Sequence, residues 1–305
     1  IASRPSANVG DALQGKVAGL QIFNTSGEPQ SSVSVRLRGE SSLNLSTAPL
    51  YILDGVPVSS SVFNSINPQD IENISVLKDA SACAIYGAKA SAGVVLINTK
   101  NGSTGKASIS YDGRVSLSTN TTSTDFITSS YDYVTLCNEF YEYYKGYGAW
   151  TFTEDQIEMM KERRYDVTEN PERPWVIPDE TGTYQYVYLG NFDWYDFLFK
   201  RTRPETEHNI SVRGGTDKVK YFVSGRYLYR EGLFNNEGED KFNGFNLRSK
   251  IDAKLTNWLT YSNSLSFERQ LYTYGGFWEQ DGLQGNTGTG ILWNFTQNVG
   301  PMLTP

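Results

Sequence analysis

Three carboxylates stand in short polar stretches where acid–base chemistry would want them: Glu40 in RGESS, Asp54 in LDGV and Asp79 in LKDAS. A pair of such groups can act as the acid and base of glycoside hydrolysis. Each also has a simpler role. Asp54-Gly55, between the runs Leu50–Leu53 and Val56–Val58, is a strong hairpin signal. Asp79 stands where a helix N-cap belongs, and Glu40 lies in the polar loop 39–48. The two cysteines, Cys83 and Cys137, and the single histidine, His208, are too few and too scattered for a zinc site or a disulfide framework. Cys83, among Ala80, Ala82 and Ala84, reads as a buried small hydrophobe. No nucleophile elbow, phosphate loop or metal-ligand spacing occurs. The residues therefore read as those of a non-enzyme, without catalytic, cofactor or metal positions. One further cluster could bind a ligand: Trp194 and Tyr195, within the aromatic run Phe192–Phe199, could stack on sugar rings. Packing of their own segment, or a place at a membrane interface, is the more economical reading.

The elements that must position these residues follow from composition and pattern. The chain has 305 residues, with 27 Lys+Arg against 34 Asp+Glu for a net charge of −7. Such a balance argues against a nucleic-acid backbone as partner. With 28 Gly, 20 Tyr, 15 Phe and 6 Trp the profile is that of a β-rich, turn-rich protein. No apolar run is long enough for a membrane helix, which does not exclude a membrane crossed by strands.

Residues 1–104 read as a small α+β domain. A short helix over Asn8–Val17 precedes strands at Gln21–Phe23, Ser32–Arg38 and Leu50–Leu53. Asn67-Pro68 starts a single helical turn. The stretch Asp70–Gly102 then reads strand, helix, strand, a βαβ unit. Its parts are Ile74–Leu77, a small-residue helix from Ala80 to Tyr86 stopped by Gly87, and Val94–Ile97, apolar on both faces and so buried.

After Gly105 the pattern changes to strict alternation. Lys106–Ser118 sets Ala107, Ile109, Tyr111, Val115 and Leu117 against Ser108, Ser110, Asp112, Arg114 and Ser116. The pattern returns in Thr206–Gly214, Lys218–Arg230, Phe242–Leu255 and Trp258–Tyr272. Most of these runs exceed the length of about 9–11 residues that a tilted strand needs to cross a bilayer. Tight turns at Gly215–Asp217 and Thr256-Asn257 alternate with long connections, the layout of an outer-membrane barrel. A soluble sandwich with its apolar face turned inward fits the same alternation. The long connection 120–205 carries helices of its own, at Ser130–Tyr144 and from Glu154 to about Arg164, capped by Thr153.

Taken together, ALQGKVAGLQI (Ala12–Ile22), VRLRGESSLN (Val35–Asn44), PLYILDGVPV (Pro49–Val58) and INPQDIENISVLKDASACAIYGAKASAGVVLINTKNG (Ile66–Gly102) resemble the plug domain of SusC/RagA-type TonB-dependent outer-membrane transporters. NFDWYDFLF (Asn191–Phe199), HNISVRGG (His208–Gly215) and YFVSGRYLYREG (Tyr221–Gly232) are similar to the first barrel segments of that family. The resemblance implies a plug domain at 1–104 and, at 105–305, the N-terminal part of an antiparallel transmembrane β-barrel with a long loop at 120–205. The plug signature positions are Arg38, Gly39, Asp54, Gly55, Lys78, Asp79, Tyr86, Gly87 and Gly93. Where family plugs usually carry Arg-x-x-Asn-Gly after the IYG turn, this chain has Lys89, Ala92 and Gly93, which reads as a packing change. The family barrel has about 22 strands; five strands cannot close one, and no signal peptide or TonB box precedes Ile1, so the chain reads as part of a longer protein.

The resemblance further implies the Gram-negative outer membrane as location and TonB-dependent import of a large nutrient, an oligosaccharide or a peptide, with the plug as gate. The implied partners are outer-membrane lipid, the TonB complex and a SusD-like surface lipoprotein as lid. A soluble or cell-surface glycan-binding module is the alternative; a membrane protein needs detergent, and such a module does not.

Overall fold

In a computed structural model, the structure describes residues 8–16, 20–24, 33–37, 48–78, 84–121, 125–182, 185–235, 240–273 and 300–303. The chain packs as two units. The first takes in 1–118, 203–233 and 239–274; the second takes in 119–202, 234–238 and 275–305.

The N-terminal domain opens with the helix Val9–Leu13, the ordered core of the segment read as helical from Asn8. Strands β1 (Leu20–Asn24) and β2 (Val33–Leu37) form an antiparallel pair, Ile22 opposite Val35. A second sheet has the order β4-β3-β6-β5, from β3 (Leu50–Leu53), β4 (Val56–Val58), β5 (Ile71–Leu77) and β6 (Val94–Thr99). Asp54 and Gly55 make the β3–β4 turn with φ of 48° and 88°. Two positive φ values give the turn a twist that matches its strands, as the Asp-Gly pair signals. Asn67 caps the turn Pro68–Asp70, its side-chain oxygen accepting from the Gln69 amide at 3.1 Å.

The strand–helix–strand reading of 70–102 needs correction. β5 and β6 are antiparallel neighbours, Ile74 opposite Ile97, and it is β3 that runs parallel to β6. The described part of the connection is two tight 3-10 turns, Ala84–Tyr86 and Ala88–Ala90; most of the helix read at Ala80–Tyr86 lies outside the described residues. Tyr86 and Ala90 lie over Ile52 and Val94, so the chain folds back across one sheet face and re-enters beside the strand it left. Asp79 and Cys83 lie outside the described residues, as do Arg38, Gly39 and Glu40.

The sheet is covered on both faces, which is why Val94, Val95 and Ile97 are all buried. Its main core joins Val9, Leu13, Val35, Leu37, Tyr51, Phe63, Ile71 and Val95. Phe63 is fully buried and stacks on Tyr51 at 4.2 Å between ring centroids. Gly93, at φ 99°, lets β6 start directly against Leu37; a Cβ there would sit 2.7 Å from the Leu37 Cδ1.

Beyond this domain, β7 (Gly105–Thr119) leads into the second unit, which holds the small antiparallel pair β8 (Val176–Pro178) and β9 (Tyr186–Tyr188). Long strands then follow: β10 (Thr202–Gly215), β11 (Val219–Glu231), β12 (Lys241–Lys254) and β13 (Thr260–Thr273). These and β7 form one sheet in the order β13-β12-β11-β10-β7. Each long strand has 13 to 15 residues, more than the about 9–11 that a tilted strand needs to span a bilayer. Register puts Val212, Val223, Leu247 and Phe267 on one face, and Glu207, Ser224, Arg226, Arg248 and Lys250 on the other. The apolar face is open, with Ile109 70% and Val115 73% exposed, whereas Ser224, Arg226 and Arg248 are buried.

The second unit folds around Val134, Met160, Val187, Leu189 and Met302. Its long helix Ser130–Lys145 starts at the Ser129 cap and ends at Gly146, with φ 77°. Thr153 and Gln156 form a capping box for the helix Glu154–Glu162. Val134 is the buried position of the first helix, with Tyr133 packed beside it, while Phe140 and Tyr144 stack on each other at 5.6 Å and are 60% and 71% exposed. The two ends of the unit are tied, because the Asn120 side-chain amide donates to the Lys200 carbonyl at 2.9 Å.

Replacing Phe63 by Ala should lower the unfolding free energy of the N-terminal domain by about 3–5 kcal/mol. Val62→Ala, at the exposed neighbouring position, should change it by less than about 1 kcal/mol. Denaturant titration of the full-length protein, read by proteolysis of this domain, compares the two.

Candidate functional site

The most chemically loaded place in the first unit is where the N-terminal domain meets the polar face of the long strands. The β3–β4 turn holds Asp54 with its amide bonded to the Ile97 carbonyl at 2.9 Å. Thr99, at the end of β6, then donates twice to the Asp54 carboxylate, from its amide at 2.9 Å and its hydroxyl at 2.6 Å. Thus fixed, the carboxylate accepts from two wall cations: Arg248 Nη1 at 3.3 Å on one oxygen and Lys250 Nζ at 3.3 Å on the other. Arg248 and Lys250 share this face because they are two apart on β12.

Asp70 is the second carboxylate of the seam. It is buried at the end of the turn Pro68–Asp70, accepts from the Asn67 side chain at 3.3 Å, and lies 3.9 Å from the Arg248 Nε. The Asn246 side chain adds a neutral contact, donating to the Ser65 carbonyl at 2.9 Å. Gly102 lies so close to the backbone of Lys220 and Tyr221 that a Cβ would collide with it.

The two acids respond to this setting in opposite ways. Burial alone would raise the Asp54 carboxyl, but the Thr99 hydroxyl and amide and the Lys250 charge outweigh it, and the group is held below the usual carboxylate range. At Asp70 burial wins: it pushes the carboxyl up against the opposing pull of the Ser224 hydroxyl, Arg248, Lys100 and Arg226.

Of the signature positions, Asp54 and Gly55 form the turn at the seam, while Gly93 sets the entry to β6. Tyr86 packs over the far face of the sheet, Gly87 joins the two 3-10 turns, and Lys78 follows β5, half-buried. Arg38, Gly39 and Asp79 lie outside the described residues. Trp194 and Tyr195 are far more buried than a free stacking platform would be, at 9% and 6% exposure. The Trp194 indole donates to the Leu303 carbonyl at 3.1 Å, and Asn120 donates to the Tyr195 hydroxyl at 3.0 Å. Both also line an open hollow of about 340 Å³ with Asp125, Phe126, Tyr133 and Asp193. The alternation puts Arg248 and Lys250 on the polar, inner side of their strand, as the structure has them, but sequence reasoning missed Asp70 and the pairing of both cations with Asp54. The signal available was a cation pair at two-residue spacing on the polar side of one strand, which by itself does not name a partner.

An α+β domain seated by ion pairs on the polar face of long antiparallel strands is the arrangement of a TonB-dependent receptor. The family model described as "TonB-dependent Receptor Plug Domain" matches residues 1–94. The chain belongs to the SusC/RagA type of these receptors. It is 31% identical over 270 residues to the TonB-dependent receptor SusC of Bacteroides thetaiotaomicron, a match covering 83% of this chain and 23% of SusC. The TonB-dependent receptor P26 of Formosa agariphila is 30% identical over 259 residues, covering 83% of this chain and 22% of that protein. Among solved structures, the RagAB peptide importer in its open-open state superposes with a TM-score of 0.69 at 31% identity, over 95% of this chain and 31% of the matched one. The chain thus spans less than a quarter of the length of these two receptors. It carries the plug domain and, among the described residues, five long strands of an unclosed barrel wall.

The seam predicts two opposite responses. Asp54→Asn should destabilise plug docking at pH 7 by about 1.5–3 kcal/mol, the range for a charge-assisted hydrogen bond. Because the folded-state pKa is depressed, this contribution is present above the unfolded value of about 3.9 and disappears as pH falls through the lower folded value. The raised Asp70 pKa has the reverse sign: ionisation opposes docking as pH climbs above about 3.9. Asp70→Asn should therefore leave docking equal or stronger at pH 7, with the difference vanishing in acid. Denaturant unfolding of the full-length receptor across pH separates the two cases.

Proposed function

We propose that this chain is the gate and the first wall strands of an outer-membrane importer that takes up a large nutrient, an oligosaccharide or a peptide, in a TonB-dependent step. The observation that carries the reading is the seam. The plug is held to the wall by Asp54, Asp70 and Asn246 contacts, while its apolar core is built from its own residues. A domain attached mainly through polar contacts exposes little apolar surface when it moves, so among the described residues a pulling partner works chiefly against ion pairs and hydrogen bonds. The sequence similarity to SusC and RagA supports TonB as that partner and a SusD-like lipoprotein as the lid. The open stripe of Phe140 and Tyr144 suits cover by a protein partner.

In this reading the open apolar face meets lipid. Val223→Arg, at mid-strand on β11, should cost about 2–4 kcal/mol in refolding of the full-length receptor into lipid. Ser262→Arg, on the lumen face opposite Asp252, should cost less than about 1 kcal/mol. Equal costs would reject this orientation.

The gate itself is tested by tethering the plug. With the native cysteines replaced, Ser65→Cys and Asn246→Cys can be joined by a short reducible thiol cross-linker in the full-length receptor. Cells carrying the cross-linked form should bind nutrient without importing it, and reduction should restore import. Undiminished uptake through a fully cross-linked population would reject the plug as gate.

A further inference from the structure

Two groups of buried charge line the inner face of the wall, and they differ in where their counter-charges come from. The first has counter-charges on the wall itself. Arg226 pairs with Glu207 at 2.7 Å, Arg230 with Glu205 at 2.6 Å, and Arg114 reaches both glutamates. Glu207 also accepts from Asn209 at 3.1 Å. This group sits on β7, β10 and β11, and these ion pairs do not involve the plug.

The second group is Arg248 and Lys250. Their ion pairs are with Asp54 and Asp70, both plug residues. Their neighbours across the wall are neutral: Ser224 and Ser266 flank Arg248, while Phe222 and Ser264 flank Lys250. Asp252 and Glu268 share the face but, among the described residues, form no ion pair with either cation. When the plug leaves, the first group stays neutralised and the second is left as two adjacent cations.

We infer that Arg248 and Lys250 form a carboxylate-binding site on the wall, occupied by Asp54 in the closed state and open to a carboxylate-bearing solute when the plug moves. The geometry is already that of such a site. A guanidinium and an ammonium converge on the two oxygens of one carboxylate, on a strand paired on both sides. A solute that binds only the open state stabilises it by mass action, so a carboxylate ligand would favour plug release where a neutral one of the same size would not. Acidic peptides and uronic-acid oligosaccharides both carry the required group. The inference rests on the reading of the plug as a movable gate.

The test reads plug opening, not import, so it can fail while the tethering experiment succeeds. The full-length receptor in detergent, with Cys83→Ala and Cys137→Ser, carries the reporter Ser65→Cys at a buried seam position. Maleimide labelling is timed with tri-glutamate or tri-galacturonate, against tri-glutamine and maltotriose at matched ionic strength. A carboxylate probe should raise the rate in proportion to one plus its concentration over its dissociation constant, about tenfold at ten times that constant. The neutral probes should not. The two acidic arms tell a peptide source from a glycan source. Arg248→Gln with Lys250→Gln should abolish the acceleration, and Lys250→Gln alone should weaken it if the double variant does not fold. No acceleration by either acidic probe beyond the salt control would overturn the inference. So would an acceleration that persists unchanged in these variants.

Discussion

A strand sends successive side chains to opposite faces, and the whole wall of this receptor depends on that constraint. Along β11, Ser224 and Arg226 are buried and polar while Val223 is exposed and apolar. A register slip by one residue would exchange every such pair, placing Arg226 and Arg248 on the apolar side and Val223 against the plug. Cross-strand ion pairs make the correct register self-consistent. Arg226 finds Glu207 and Arg230 finds Glu205 only when β10 and β11 are aligned with Asn209 opposite Arg226. The alternation that keeps one face apolar thereby also aims the charges of the other.

The plug answers with charge of the opposite sign, and its interior explains why it can. Its two apolar clusters draw on residues from Val9 to Ile97 and need nothing from the wall. What remains for the seam is polar. Buried ion pairs are poor sources of net stability, because desolvation offsets most of the Coulombic gain. They are sensitive to position, however, and an acid placed 3.3 Å from two cations defines one docked arrangement. Asp70 shows the unfavourable side of the same physics, a carboxylate buried more deeply than its partners can compensate.

Local chemistry was legible in the sequence, and distant pairing was not. The Asp54-Gly55 turn, the Asn67-Pro68 turn, the Thr153 cap and the long alternating strands each follow from a few consecutive residues. Asp54 was readable as a turn residue because Gly55 follows it. Its second role depends on Arg248, 194 positions away. The 70–102 stretch misled for a related reason: two apolar strands joined by a short connection suit a parallel βαβ unit, but β6 returns antiparallel to β5 and takes its parallel neighbour from β3, a pairing no local stretch of sequence specifies. The helix at Ser130–Lys145 was equally visible, yet its sequence does not say which side meets the core, and Val134 took that place.

The hydrogen bond from Asn120 to Lys200 bears on how the wall is assembled. β10 to β13 pair with their neighbours in sequence and can zip as successive hairpins. β7 instead joins β10 across some eighty intervening residues, and closing so long a flexible loop carries an entropic penalty that grows with its length. The second unit, with its own core, shortens that search once folded. Within it, the Asn120–Lys200 bond holds entry and exit together. The long loop is thus also a folding module, converting one distant strand pairing into a local one.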